Sequence, residues 1–462
     1  MSPSNLIEKC KEIGTYFLKI PHDQFIRIYC HQDSDGICAA SILAKALQKK
    51  HYKFQLHSIY FLTPSLVQDL VTNNRSNDIM VFIDIGSSYL SLLKEHCPPN
   101  QQIIVIDHHI VDDIDAIPDN LIHLNSYDFG VDGSTEACAS SLAFFIAQAI
   151  DSSPKTDCFA ILGILGDYQN VGRQYGLIGL NKEVISFLKK NKTISETMDL
   201  WFAGGQNRTV IQILETLKLG DENNNSLRLV SRVLKETEIS PYIQFDTLNK
   251  EEKRRIASKL AEFHVGIDAF VRHVFTFEKE SNPVLKEVMS LTETLEGLIQ
   301  ANNIGTAFSI ALGDRKKALV ELEAFKLSFT QNIAEAIDWA NEFVEKKQAM
   351  FYLDVGTKFN LATIQSSANI LLDKCEVPLI SSIDYTNDYS LILVLIPSNL
   401  QRVGMKALEE LKKAHDATSI NLYDLTGANE IARTVIPKNK LKNFLEALDK
   451  QVYRFIREPK GS

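Results

Sequence analysis

Short apolar runs that stop at a carboxylate constrain this chain more than any other feature. Val81-Phe82-Ile83-Asp84 and Val105-Ile106-Asp107-His108-His109 are two such runs, and a third leads into Cys30-His31-Gln32-Asp33. Runs of β-branched and aromatic residues without polar alternation read as strands buried on both faces, the condition of a parallel sheet covered by helices. Strands are expected over 25–30, 54–61, 79–84, 103–107 and 121–125. Helices are expected over 36–49 and 64–70 between them, and over 134–150 and 155–165 against the sheet, so the fold class is α/β.

Carboxyl ends of strands border the ligand crevice of an open α/β sheet, so acids that close different strands become neighbours. Crowded acids and imidazoles repel one another and lose hydration, and a divalent cation relieves both penalties. Four segments supply such groups: His31, Asp33 and Asp35 in the first, Asp84 in the second, Asp107-His108-His109 in the third, and Asp167 after an apolar helix in the fourth. Extended residues two apart share a side, which predicts that His31, Asp33 and Asp35 converge, while Gly36 is expected to turn the chain into a helix. Taken singly, Asp84 or Asp167 reads as a helix cap, His108 and His109 as a hydrogen-bonded pair, and Cys38 as a small buried residue. Taken together they read as a metal centre. Imidazoles with an excess of carboxylates and no thiolate favour Mn²⁺, then Mg²⁺.

The remaining sequence bounds the setting. At 462 residues, with 45% hydrophobic and 23% charged residues, the chain has room for two or three domains. A net charge of -9 argues against a protein that coats nucleic acid with a basic surface and favours a narrow site. Seven scattered cysteines, with no CxxC, suggest reduced thiols in a cytoplasm. The first residues hold no apolar segment of a secretory signal, and no membrane span is expected. The expected organisation is a first domain over 1–195, a mostly helical connector over 196–345, and a second α/β unit over 346–462 facing the first across a cleft. Long helices are expected over 251–273 and 325–347, with a loop at 221–225. In the last unit, strands are expected over 349–355, 377–384 and 390–396, with helices over 362–374, 405–414 and 441–457.

The four segments together resemble those of the DHH phosphoesterase superfamily, named for the triplet that stands here as Asp107-His108-His109. Within it the chain is most similar to the archaeal RecJ-like exonucleases, the group that includes the GINS-associated nuclease and is related to Cdc45. Phe129-Gly130-Val131-Asp132-Gly133-Ser134-Thr135-Glu136 resembles the stretch that follows the triplet in that group, and 201–217, with Gly204-Gly205-Gln206-Asn207-Arg208, stands in the place of another of its segments. The resemblance implies a DHH domain, a helical connector and a smaller C-terminal DHH-associated domain. It also implies two-metal hydrolysis of phosphodiester bonds. His31 and Asp33 would hold one metal, Asp35, His108 and Asp167 the other, and Asp84 both. Asp107 would orient His108, and His109 would contact the scissile phosphate or protonate the leaving oxygen.

For substrate contacts the resemblance points to Ser134 and Arg208, and to the place where the family carries a GGGH signature. Here that place reads Thr426-Gly427-Ala428-Asn429, followed by Arg433, so two of the three glycines and the histidine are replaced. Gly427, Asn429 and Arg433 are the candidates there. The basic clusters at 189–192 and 250–255 read as solvated helix ends. The implied activity is a single-strand-specific exonuclease of DNA replication and repair, 5'-to-3' on single-stranded DNA and also RNA. The alternatives are a Cdc45-like scaffold that binds GINS and the MCM motor, and a phosphodiesterase of short oligonucleotides or cyclic dinucleotides.

Overall fold

The structure is a computed structural model that describes residues 3–74, 78–112, 115–151, 158–202, 208–216, 226–262, 270–372, 376–427 and 430–457. The chain divides into two compact units, Met1–Glu196 with Phe275–Phe325, and Thr197–Val274 with Lys326–Ser462.

The first unit is built on five parallel strands: β1 (Phe25–His31), β2 (Lys53–Ile59), β3 (Ile79–Ile83), β4 (Ile103–Asp107) and β5 (Leu121–Asn125). Their order in the sheet is β2-β1-β3-β4-β5. The continuous apolar character of the inner strands follows from burial on both faces. Ile26, Ile28, Cys30, Val81, Ile83, Ile104, Ile106 and Leu124 enter one core cluster with the helices Pro3–Phe17, Ser34–Lys49 and Ala139–Ile150. The alternate residues Tyr29, Met80, Phe82, Ile103, Val105 and Leu121 enter the other, under the helices Pro64–Thr72 and Leu90–His96. The period of two sorts neighbours to opposite faces, so both must be apolar. After β2 the chain crosses back past β1 to lay down β3, which makes the carboxyl ends of β1 and β3 the switch point of the sheet.

The stretch expected as one connector is divided between the units. Two strands, β6 (Ile194–Leu200) and β7 (Val271–Phe277), pair with each other where the chain leaves and re-enters the first unit. Beyond β7 the helices Val288–Gln300 and Ile304–Leu312 join the core of the first unit through Leu291, Leu295, Leu298 and Ile310. Of the long helix expected over 251–273, the described part runs to Glu262, residues 263–269 lie outside the described residues, and His273 lies in β7. The reason is local: Val271, His273, Phe275 and Phe277 alternate with Arg272, Val274 and Thr276, a β pattern at the end of a helical one. The helices over 134–150 and 155–165 begin later than expected, at Ala139 and Ala160, and residues 155–157 and the loop at 221–225 lie outside the described residues.

The second unit carries a six-stranded sheet of β8 (Glu345–Lys346), β9 (Phe351–Gly356), β10 (Leu379–Asp384), β11 (Tyr389–Leu395), β12 (Tyr423–Gly427) and β13 (Ile431–Pro437), in the order β12-β13-β11-β10-β9-β8. Only β9 and β10 run parallel; the other described pairs are antiparallel. The helices Ala407–Thr418 and Leu441–Arg457 cover the sheet through Leu411, Ala414, Phe444, Leu448 and Val452. A second cluster of the unit, around Phe202, Val210, Val233 and Phe245, holds together the helices between β6 and β7. The six cysteines among the described residues are free, and Cys375 lies outside them. Among the described residues no helix is long and apolar enough to cross a membrane.

Phe82, fully buried and stacked 5.4 Å from Tyr29 on the middle strand, tests the packing of the first unit. Phe82→Ala is expected to lower unfolding stability by about 3–5 kcal/mol in urea denaturation, the range for emptying an aromatic core site. A loss below about 1 kcal/mol would mean that the helices on that face do not seal the sheet.

Candidate metal centre

The carboxyl edge of the parallel sheet gathers the acids and imidazoles of all four sequence segments. His31 ends β1, and Asp33 follows in extended conformation, so the two face the same way with His31 Nδ1 2.7 Å from Asp33 Oδ2. Asp33 also caps the helix Ser34–Lys49, its Oδ1 accepting from Gly36 N at 3.0 Å, so the cap and the site share one residue. Asp35 departs from the expected alternation. It already lies in the first helical turn, and its carboxylate turns to a different group of residues. Gly36 serves clearance rather than a turn: a Cβ there would stand 2.3 Å from the His31 carbonyl oxygen.

Asp84 follows β3 with φ +62, a left-handed conformation that costs of order 1–3 kcal/mol. Its amide stays bonded to the Ile106 carbonyl of β4 at 2.9 Å, so the bend is imposed at the last point of sheet pairing. The carboxylate enters the centre with Oδ1 3.1 Å from His108 Nε2 and Oδ2 3.5 Å from His31 Nδ1. Asp84 Oδ2 is buried and accepts no hydrogen bond among the described residues.

The triplet divides its work differently from the expectation. Asp107 Oδ1 accepts from the amides of His108 and His109 at 2.7 and 3.1 Å, its Oδ2 accepts from Ser87 N at 2.8 Å, and the ring it holds is that of His109, at 2.8 Å from Nδ1. The His108 ring is held instead by the Gly133 carbonyl, 2.5 Å from Nδ1. That acceptor requires the Nδ1 proton, so in the neutral ring the lone pair is on Nε2, which faces Asp84, Asp35 at 3.8 Å and Asp167 at 3.7 Å. Asp35 in turn is fixed by the amides of Ala139 and Ser140, at 2.7 and 2.9 Å, at the start of the helix Ala139–Ile150. A helix N-terminus favours such a charge.

Three overlapping groups result: His31, Asp33 and Asp84; Asp35, His108 and Asp167; and Asp84, Asp107, His108 and His109. Within each, the donor atoms lie within 4.8 Å of one another. Imidazole and carboxylate donors fit a hard or borderline divalent cation, and the buried Asp84 oxygen left without a hydrogen bond is the acceptor such a cation would satisfy.

The charges record the crowding. Burial, then the nearness of Asp33 and Asp35, pushes the Asp84 carboxyl up to about 8. Burial raises Asp167 to about 6, with His108 opposing and Asp35 adding. For Asp107 burial also acts upward, but the His109 ring outweighs it and holds the carboxyl well below the usual range. Burial disfavours charge on both rings; Asp167, Asp84 and Asp35 nevertheless raise His108 well above the ordinary imidazole value, and Asp107 raises His109.

Supporting residues lay outside the expectation. Glu296, from the helix Val288–Gln300, accepts from Ser34 N at 3.0 Å and Ser34 Oγ at 2.7 Å, pinning the loop that carries Asp33 and Asp35. Gln169, two residues past Asp167, is fully buried and donates to Asp167 Oδ2 at 2.7 Å. Behind Asp107, Ser87 Oγ meets His123 Nε2 at 2.9 Å and accepts from Asn125 Nδ2 at 2.9 Å, while Asn125 also donates to the His109 carbonyl at 2.8 Å.

Of the expected substrate contacts, Ser134 lies beside Gly133 and bonds Asp132 Oδ1 through its amide and hydroxyl, at 2.8 and 2.7 Å. Arg208, Gly427 and Arg433 belong to the second unit. Arg208 donates to the Gln212 carbonyl at the start of its own helix. Gly427 has φ +129 and pairs with Ala432, where a Cβ would stand 2.4 Å from the facing backbone, so its glycine is required by the β12–β13 pairing. Arg433 faces Thr426 in the same pairing, and Asn429 and residues 204–207 lie outside the described residues. In the basic clusters, Lys189 pairs with Glu196, Lys253 with Asp199 at 3.0 Å, and Arg254 with Glu251 at 3.8 Å.

Residues 25–166 match the DHH family, N-terminal domain. This part of the chain is a DHH domain. An uncharacterized protein of Methanocaldococcus jannaschii is 32% identical over 203 residues, a match that covers 42% of this chain and 45% of that relative. The chain thus matches about half the length of that relative. Cdc45 from Entamoeba histolytica superposes with a TM-score of 0.60 at 13% identity, covering 98% of this chain and 99% of that one. RecJ from Thermus thermophilus in complex with Mn²⁺ superposes with a TM-score of 0.57 at 13% identity, covering 96% of this chain and 55% of that one. The DHH domain and the second sheet together have the fold shared by RecJ and Cdc45.

The raised Asp84 and His108 values give a signed expectation. A carboxyl raised in the fold stabilises the metal-free protein fully below its unfolded value, about 4, and that contribution is lost as pH rises through about 8. His108 adds a loss of the same sign above about 6.5. A bound divalent cation favours the deprotonated forms, so the rise in Tm on adding excess Mn²⁺ is expected to be larger at pH 7.5 than at pH 5.5 by calorimetry, by several degrees. Equal shifts at the two pH values would contradict this placement of the cation.

Proposed function

We propose that this chain is a metal-dependent phosphodiesterase acting as a RecJ-like exonuclease on single-stranded nucleic acid, 5'-to-3' on DNA and also RNA, in replication and repair. The observation that carries this reading is the convergence of six donor residues from four separated segments on the two groups that Asp84 and His108 link. His31, Asp33 and Asp84 would hold one divalent cation; Asp35, His108 and Asp167 would hold the other. The chemistry such ions supply when bound is Lewis acidity toward a phosphoryl oxygen and a lowered pKa for an attacking water.

The chain's own residues supply positioning and a proton. His109 is fixed through Nδ1 by Asp107, whose charge raises the ring above the ordinary imidazole value, and its side chain is 20% exposed. Its other nitrogen is then the donor to a phosphate oxygen or to the leaving 3' oxygen. Asp107 is itself locked by three amides, so the ring keeps one orientation. Water is limited at Asp84, which is 1% exposed.

A second reading is favoured by the Cdc45 superposition, which spans nearly the whole of both chains. In that reading the chain is a Cdc45-like replisome scaffold that binds GINS and MCM, with the metal centre serving structure more than turnover.

One experiment separates them: Mn²⁺-dependent release of mononucleotides from end-labelled single-stranded DNA and RNA. Wild type is expected to release 5'-mononucleotides, Asp84→Ala to lose at least about a hundredfold in rate, and His109→Ala to lose about 10²–10⁴-fold in kcat while still binding Mn²⁺. Binding of Mn²⁺ with no release from either polymer would overturn the exonuclease reading in favour of the scaffold.

A further inference from the structure

Gln169 is 0% exposed, and its amide stands at the junction of three chain segments. Its Nε2 is 2.7 Å from Asp167 Oδ2, 2.8 Å from the Gly133 carbonyl and 3.0 Å from the Ala137 carbonyl. Its Oε1 accepts from Asn181 Nδ2 at 2.6 Å, and Asn181 is anchored through its own amide to the Glu136 carbonyl at 3.1 Å. That bond fixes which end of the Gln169 amide is which: an Oε1 turned the other way would meet three oxygens. Two N–H groups facing three acceptors leave no donor to spare on that side.

Each acceptor leads to a different member of one group. Asp167 is reached directly. His108 is reached through the Gly133 carbonyl, which also receives its ring Nδ1–H at 2.5 Å. Asp35 is reached through Ala137, two residues before the Ala139 amide that bonds Asp35 Oδ2 at 2.7 Å. Among the contacts described for it, Gln169 reaches none of His31, Asp33 and Asp84.

We infer that Gln169, oriented by Asn181, is a positioning residue dedicated to the Asp35–His108–Asp167 group, tuning cation affinity there and leaving the His31–Asp33–Asp84 group alone. The inference rests on the metal reading proposed above. Gln169 bonds no donor atom of the His31–Asp33–Asp84 group and no reacting atom; it acts by holding the spacing of the Asp35–His108–Asp167 group and the His108 tautomer.

Isothermal titration of the full chain with MnCl₂, without substrate, tests it, with far-UV circular dichroism to confirm folding. Wild type is expected to show two binding events. Gln169→Met keeps the volume and removes the donors; it is expected to weaken one event ten- to hundredfold and leave the other within about threefold. Asp167→Asn is expected to weaken the same event, and Gln169→Met added to it is expected to leave the remaining event unchanged. Asn181→Ala, which frees the amide to turn, gives a second route should Gln169→Met fold poorly, and is expected to weaken that same event. Equal weakening of both events, or of neither, overturns the assignment while the metal centre stands. A wild-type chain that binds no Mn²⁺ overturns the metal reading and this inference with it.

Discussion

Mutual repulsion and lost hydration among Asp33, Asp35, Asp84, Asp107 and Asp167 govern the carboxyl edge of the first sheet, and most of the local structure can be understood as an answer to them. Asp107 is surrounded by three amides and the His109 ring, Asp35 meets the first amides of a helix, and Asp33 caps another helix. Each of these carboxylates receives backbone donors that are fixed before any ligand arrives. Asp167 receives the side-chain amide of Gln169. Asp84 differs from all four. It is buried within reach of both groups of donors, and one of its oxygens accepts no hydrogen bond among the described residues. The protein thus compensates its acids locally except at the point where a shared cation would do so.

The sheet makes this arrangement feasible. The inner strands β3 and β4 are apolar up to their carboxyl ends, and the crossing from β2 back to β3 opens the sheet beside β1. Two helices packed on the same face of the sheet present their first turns to the crevice, the one starting at Ser34 and the one starting at Ala139. The left-handed backbone at Asp84 shows where regular geometry gives way to the needs of the site. An aspartate tolerates that conformation better than a branched residue would.

The strands of the first unit were legible because a sheet buried on both faces leaves an unmistakable apolar run, and β4 and β5 fall where the pattern places them. Residue types at the strand ends were legible for the same reason. What escaped was whatever depends on partners distant in sequence. Spacing alone suggested that Asp35 would side with His31 and Asp33; the helix starting at Ser34 rotates it to His108 and Asp167 instead. The triplet's internal division also escaped, because Gly133 lies 25 residues past His108 and nothing in the triplet announces its carbonyl. Glu296 is 262 residues from the serine it holds, and β7 was hidden at the end of a helical pattern.

That distance has a bearing on how the protein comes into being. Residues 275–325 are as much a part of the first unit as the sheet, since Leu291, Leu295 and Leu298 fill its core and Glu296 secures Ser34. A nascent chain that has left the ribosome as far as residue 200 holds every donor of the centre, yet its helices Ser34–Lys49 and Ala160–Gly166 still expose the surface those later helices will cover. Domains otherwise tend to fold in the order of synthesis. Here the earliest residues must wait, through more than a hundred further additions, for the segment that completes them. A fragment cut at the apparent border near 196 would carry the donors of the site without the scaffold that sets their spacing.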